Sequence, residues 1–199
     1  MARTAILLLA AGASSRMRGA DKLLQEVDGA PVLRRQAEAA LRIGADVTVC
    51  LAADRPDREA ALRGLTLRRL IVKDAGEGMA ASIRAGAASL PDDIAGAVIL
   101  PADMPEIDAA DIAAVLAAFD AAGRDRIARG TSESGVPGHP VVFPARLLPR
   151  LRLLSGDDGA RGLVRLEKPI MVPLPGRHAL TDLDTPEDWA AWRAGRHRP

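Results

Sequence analysis

The chain has 199 residues, 48% of them hydrophobic and 27% charged, with a formal net charge of +1. That length and apolar content suit one domain, residues 1–199, around one substantial core. The near-neutral balance excludes a global field of the kind that gathers nucleic acid or an anionic membrane, so any phosphate chemistry has to come from local charges.

In chain order, the apolar run Thr4-Ala-Ile-Leu-Leu-Leu9 ends at Ala10-Ala-Gly12 and reads as a strand buried on both faces of a largely parallel sheet. The stretch from Ala5 to Ala11 is too short to span a bilayer and its flanks run in the wrong order for a signal peptide, so no targeting segment is expected. Similar runs recur at Val47–Leu51, Leu67–Val72, Ala97–Leu100 and Val141–Phe143. The one cysteine, Cys50, lies in the second run, which excludes an intrachain disulfide and fits a buried thiol in a reducing cytoplasm.

Helical patterns lie between these runs. Leu33, Ala37, Ala40 and Leu41 form one face between Pro31 and Gly44, and Met79, Ile83, Ala87 and Leu90 form another. Ile112, Val115, Leu116 and Phe119 follow Asp108 as N-cap, and a last helix starts at Thr185-Pro-Glu-Asp188 with Trp189 and Trp192 on one face. The segment Arg129–Pro140, rich in Gly, Ser and Pro, is expected to be a loop. Arg193, Arg196 and Arg198, around Gly195 and Pro199, read as a solvated terminus rather than a nucleic-acid tail. Alternating strands and helices predict a three-layer αβα sandwich with ligands at the carboxyl ends of the strands.

Five segments after strands carry chemistry. In Leu9-Ala-Ala-Gly-Ala-Ser-Ser-Arg-Met-Arg-Gly-Ala-Asp-Lys22, small residues let main-chain N–H groups approach phosphate oxygens. There Ser14 and Ser15 add hydroxyl donors, and Arg16 and Lys22 supply cations for a polyphosphate. This is neither a Walker loop nor a dinucleotide fingerprint, because the required glycines and the Gly-Lys-Ser/Thr ending are absent.

In Ile99-Leu-Pro-Ala-Asp-Met-Pro105, Asp103 follows a strand and is the first candidate to hold Mg²⁺ against a triphosphate. In Thr181-Asp-Leu-Asp-Thr-Pro-Glu-Asp188, alternation sends Asp182 and Asp184 to opposite faces, and Asp184 is the favoured second ligand. Ala75-Gly-Glu-Gly-Met-Ala-Ala-Ser82 opens a helix with unpaired N–H groups and Ser82, suited to a ribose, a base edge or a phosphate. Gly135-Val-Pro-Gly-His-Pro140 and Gly156-Asp-Asp-Gly-Ala-Arg161 present His139 and Arg161 to a second, anionic substrate.

Taken in order, the phrases LAAGASSRMRGADKLL, GMAASIRAG, LPADMP, GHPVVF, GDDGAR and DLDTPED resemble the molybdenum-cofactor nucleotidyltransferases, specifically the CTP:molybdopterin cytidylyltransferase-like group. The resemblance runs nearly end to end. It implies a Rossmann-like nucleotidyltransferase fold and a Mg²⁺-dependent transfer of CMP from CTP to the phosphate of molybdopterin. It also implies that Ala10, Ala11, Gly12, Ser14 and Arg16 hold the nucleotide with Gly78 and Ser82, and that Lys22 meets the phosphates. Asp103 and Asp184 would carry the metal, Arg16, Lys22 and Asp103 would form the catalytic set, and His139 and Arg161 would face the acceptor. Guanylyl-transferring relatives usually show Leu-Ala-Gly-Gly in the first phrase, so Ala11 favours CTP over GTP.

Where this family often has Gly the chain has Ala102, and where it often has Asn or Gln the chain has His139. Other readings keep an NTP but use a sugar-phosphate acceptor, or make the chain a non-catalytic chaperone that delivers a nucleotide-bearing cofactor to a molybdenum hydroxylase client.

Overall fold

The computed structural model describes residues 3–156 and 159–196. Asp157 and Asp158 of the GDDGAR phrase, and Arg198 and Pro199 of the terminal cluster, lie outside the described residues. From the N-terminus, β1 (Thr4–Ala10) leads through a short ribbon, β2 (Glu26–Val27) and β3 (Ala30–Pro31), into helix α1 (Val32–Arg42). Next come β4 (Asp46–Leu51), α2 (Pro56–Ala61), β5 (Arg68–Ile71), α3 (Met79–Ser89), β6 (Gly96–Pro101) and α4 (Ala109–Ala121). The remaining elements are β7 (Ala128–Thr131), β8 (Pro137–Pro144), α5 (Leu148–Leu151), α6 (Arg161–Glu167), β9 (Ile170–Pro173) and α7 (Pro186–Arg196).

The main sheet runs β5-β4-β1-β6-β8-β7-β9. The pairs β5–β4, β4–β1, β1–β6 and β7–β9 are parallel, while β8 is antiparallel to both neighbours. The chain therefore has the expected mostly parallel, three-layer Rossmann-like α/β fold. Period-two alternation in β1 explains why both of its faces are apolar. Ile6, Leu8 and Ala10 join Leu33, Phe119 and Trp189 on one side, and Ala5, Leu7 and Leu9 join Ile83, Leu151 and Val164 on the other.

Local signals set the helix ends. Gly44 takes the positive φ of 73° that stops α1. Asp108 and Asp111 form a reciprocal capping box on α4, and Thr185 and Asp188 bond each other's main chain at the start of α7. Trp189 and Trp192 meet edge to face at 5.8 Å. No helix among the described residues is long and apolar enough to cross a membrane.

The expected loop at Arg129–Pro140 is instead a hairpin: β7 and β8 pair, and only the residues between them turn. The glycines that suggested a loop serve close approach. A Cβ on Gly138 would lie 1.8 Å from the Ala179 carbonyl oxygen, and one on Gly130 would lie 2.6 Å from that of His139. The run at Leu67–Val72 also departs from the double burial of β1, because β5 is the sheet edge and its ends are exposed.

Candidate active site

The first loop is set from below. After β1 the chain buries Ala11, exposes Gly12 and Ala13, and takes Ser14 into the left-handed region at φ 53°. Met17 is buried and anchors the far side of the turn. Under the loop lies Arg58 of α2, fully buried. Its Nη1 donates to the carbonyls of Ala10 at 2.7 Å and Gly12 at 2.8 Å, and its Nη2 donates to Ser14 Oγ and Asp21 Oδ1, each at 2.9 Å. Its Nε reaches Asp21 Oδ2 at 2.7 Å, completing a two-pronged guanidinium–carboxylate pair. Burial pushes the Asp21 carboxyl up, but the Arg58 hydrogen bonds and charge outweigh it and hold the group below the usual range.

This wiring engages two of the residues expected to hold the nucleotide. The Ser14 hydroxyl points into the loop, donating to Asp21 Oδ1 at 3.2 Å while accepting from Arg58. Ala10 is buried and its carbonyl belongs to Arg58; it shapes the loop from within.

The carboxylates arrive from two other elements. Beyond β6, the Ala102 N–H donates to the Leu9 carbonyl at 3.0 Å, which extends the parallel register and delivers Asp103 beside the first loop. The Leu183 N–H donates to the Asp103 carbonyl at 3.4 Å, and this fixes Asp184 next to it. Lys22 Nζ donates to Asp103 Oδ2 and, at 2.6 Å, to Asp184 Oδ1. Arg16 lies 2.6 Å from Asp184 Oδ2. Burial works against the Lys22 charge, yet the two carboxylates raise its pKa above the ordinary lysine value.

Two carboxylates meeting one cation are a hard oxygen donor pair of the kind Mg²⁺ uses, with phosphate oxygens and water filling the remaining positions. Asp103 Oδ1 is buried and has no hydrogen-bond partner, which leaves one further donor atom available to an ion. The residues therefore fit a divalent cation held by Asp103 and Asp184. Among the described residues, no group of three or more His, Cys, Asp or Glu side chains is gathered for a metal. Asp182 lines the second cavity instead of meeting Lys22. Burial, with Asp184 and Asp103 nearby, raises its pKa.

Two cavities and a recess meet here. One cavity, of about 290 Å³, is lined by Ala11, Gly12, Lys22, Gly78, Ser82 and Asp103. Gly78, at φ 87° and ψ −161°, joins the turn Ala75–Glu77 to α3 in a conformation that favours glycine. A recess of about 190 Å³ between Gly12, Ser15, Arg16, Lys22 and Asp184 continues it towards the loop. A second cavity, of about 310 Å³, lies across Asp103 and includes Arg129, His139, Arg161 and Asp182. Burial and the Arg129 charge push the His139 imidazole down to about 4, so the ring is neutral at physiological pH. Its Nδ1 is buried without a partner.

The family profile described as "MobA-like NTP transferase domain" matches residues 6–172. The chain belongs to this family. It is thus a nucleotidyltransferase of the MobA-like type; the first loop, Asp103 and most of the lining of both cavities lie within the matched span, and Asp184 lies beyond it. The MobA-like domain is 33% identical over 123 residues to "Bifunctional protein GlmU" of Leifsonia xyli; that alignment covers 60% of this chain and 25% of the relative, so the chain spans about a quarter of its length. Among solved structures, Rv0371c of Mycobacterium tuberculosis superposes with a TM-score of 0.81 at 25% identity, covering 96% of this chain and 97% of that one. A complex of Rv0371c with manganese gives 0.77 at 24%, covering 95% and 97%. CMP:2-keto-3-deoxy-manno-octonic acid synthetase complexed with CTP shares the fold at 0.76 and 16%, covering 98% of each chain.

Of the residues expected from sequence, the fold of this MobA-like domain gathers Gly12, Arg16, Lys22, Gly78, Ser82, Asp103, Asp184, His139 and Arg161 around the junction. Sequence reasoning missed Arg58, Asp21 and Arg129. Arg58 sits in the polar run Asp54-Arg-Pro-Asp-Arg-Glu59, which carries no motif, and Arg129 opens the segment read as a loop.

Proposed function

We propose that the chain transfers the cytidylyl group of CTP to the phosphate of molybdopterin and releases pyrophosphate. The observation that carries this reading is the position of Asp103, a wall common to the loop-lined cavity and the arginine-lined cavity. A nucleotide in the first and an acceptor in the second would meet at the carboxylate pair. Ala11, Gly12 and Gly78 would receive base and ribose at close main-chain range, with Ser82 beside them. Arg16 and Lys22 would turn from the carboxylates to the triphosphate and neutralise the departing pyrophosphate.

In the transfer, an oxygen of the acceptor phosphate bonds to the α-phosphorus of CTP as the bond from that phosphorus to the α–β bridging oxygen breaks. The electron pair leaves on pyrophosphate. A phosphate monoester is already largely ionised near neutral pH, so positioning and charge neutralisation suffice without a general base. Mg²⁺, held by Asp103 and Asp184, would supply charge neutralisation on the phosphates. A fold relative solved with CTP and another solved with manganese support this choice of ligands.

The test incubates the protein with Mg²⁺ and CTP, GTP or ATP, with and without molybdopterin, and measures pyrophosphate. Release that needs both CTP and molybdopterin is expected. Release with a sugar phosphate instead, or tight molybdopterin binding without release, would replace the reading.

A further inference from the structure

The cavity across Asp103 carries positive charge that no described carboxylate pairs with. Arg58, Arg84 and Arg146 each meet an Asp or Glu oxygen within 2.9 Å. Arg129 instead uses only its Nε, donating to the Gly138 carbonyl at 2.9 Å, and is half-buried. Arg161 lines the same cavity, also without an ion pair among the described residues. Two guanidinium groups in one cavity repel each other: burial and the Arg161 charge together lower the Arg129 pKa. Asp103 and Asp182 line the same cavity without pairing with either guanidinium, which leaves both free to meet an anion. The neutral His139 beside them, with its unpartnered Nδ1, adds a hydrogen-bonding group but no further charge.

Part of the remaining wall is apolar, formed by Ile83, Ile99, Val141, Phe143 and Val164, and the Asp103 and Asp182 carboxylates complete it. A sugar ring would need a hydroxyl partner at most positions, and the apolar part of this wall provides none of them. We propose that Arg129, together with Arg161, seats the phosphate of a phosphomonoester whose flat body lies against the apolar part of this wall, and that Arg129 is the main determinant of acceptor binding. The seat rests on the nucleotidyl-transfer reading only for the chemical step after binding. Two forked guanidinium groups match the oxygens and the double charge of a phosphate monoester better than they match a carboxylate. Binding next to Asp103 brings that phosphate to the carboxylate pair.

Calorimetric titration of phenyl phosphate into the full chain reads the site directly. Saturable binding is expected, about tenfold tighter than that of glucose 1-phosphate and about tenfold weaker in Arg129→Ala. Arg129→Lys should recover part of it, and CTP affinity should stay within about twofold in both variants. The Arg129 Nε also braces the β7–β8 hairpin, so Arg161→Ala is the second variant; it removes one guanidinium without touching that hairpin and should weaken phenyl phosphate in the same way. Equal phenyl phosphate affinity in wild type and both variants, no binding to wild type, or parallel loss of CTP and phenyl phosphate overturns the inference. Pyrophosphate release is scored separately: phosphate binding that depends on Arg129 in a protein that releases no pyrophosphate removes the transfer reading and leaves the anion seat standing.

Discussion

Lys22 Nζ lies 2.6 Å from Asp184 Oδ1 across 162 residues of sequence, and the same ammonium also meets Asp103. An internal cation thus occupies the place between the two carboxylates proposed for the metal. Replacing Lys22 with Met removes that competitor and leaves two half-buried carboxylates facing each other. Mn²⁺ titrated without nucleotide should bind Lys22→Met about tenfold more tightly than wild type, although turnover falls by orders of magnitude. Equal or weaker Mn²⁺ affinity in the variant would separate Lys22 from the metal site.

Arg58 is fully buried and holds two carbonyls, a hydroxyl and a carboxylate of the first loop. Arg58→Ala strands Asp21 and should cost about 3–5 kcal/mol of stability, measured by urea unfolding. The Asp21 carboxyl is held low in the folded protein, so its contribution is present above the ordinary value of 3.8 and is lost as pH falls through the lower folded value. Acid unfolding of Arg58→Ala should therefore begin at a higher pH than that of wild type.

His139 titrates in the opposite sense to a paired histidine. Its folded pKa of about 4 lies below the ordinary 6.5, so the unfolded chain takes up the proton first. Stability is full above about 6.5, declines as pH falls towards about 4, and loses no more from this group below that. In His139→Gln this part of the pH dependence should vanish, as read from urea midpoints between pH 7 and pH 4.5. An unchanged slope would assign the loss to other groups.

Gly138 has the carbonyl of Ala179 where its Cβ would stand, at 1.8 Å. Both atoms are main chain, so neither yields easily. Gly138→Ala should cost about 2 kcal/mol or more and weaken phenyl phosphate binding, since the hairpin carries Arg129 and His139. Thermal unfolding and the same calorimetric titration check both effects.

The parallel half of the fold was legible because its signals are local. A continuous apolar run such as Thr4–Leu9 can satisfy burial on both faces only inside a sheet, and ligand chemistry then sits at its carboxyl end. Asp103 was read the same way, as a carboxylate just beyond an apolar run, whereas Asp184 was read from its place before a capped helix. The antiparallel insertion of β8 was not, because the glycines at 130 and 138 serve a close tertiary approach and look like turn residues in sequence. Arg58 was hidden for a related reason. Its neighbours Asp57 and Glu59 are exposed, and only the tertiary path of α2 turns the guanidinium under the loop. The Ser14 hydroxyl, expected to face phosphate, is drawn inward by that same guanidinium.

The most direct measurement is turnover of Asp103→Asn, assayed as pyrophosphate released from CTP with Mg²⁺ and molybdopterin. The substitution keeps the shape of the side chain and removes the charge where the two cavities meet. A fall of about a thousandfold in kcat, with CTP binding largely retained and unfolding temperature unchanged or higher, is the predicted result. Full turnover in a folded Asp103→Asn protein would contradict the placement of catalysis at the junction.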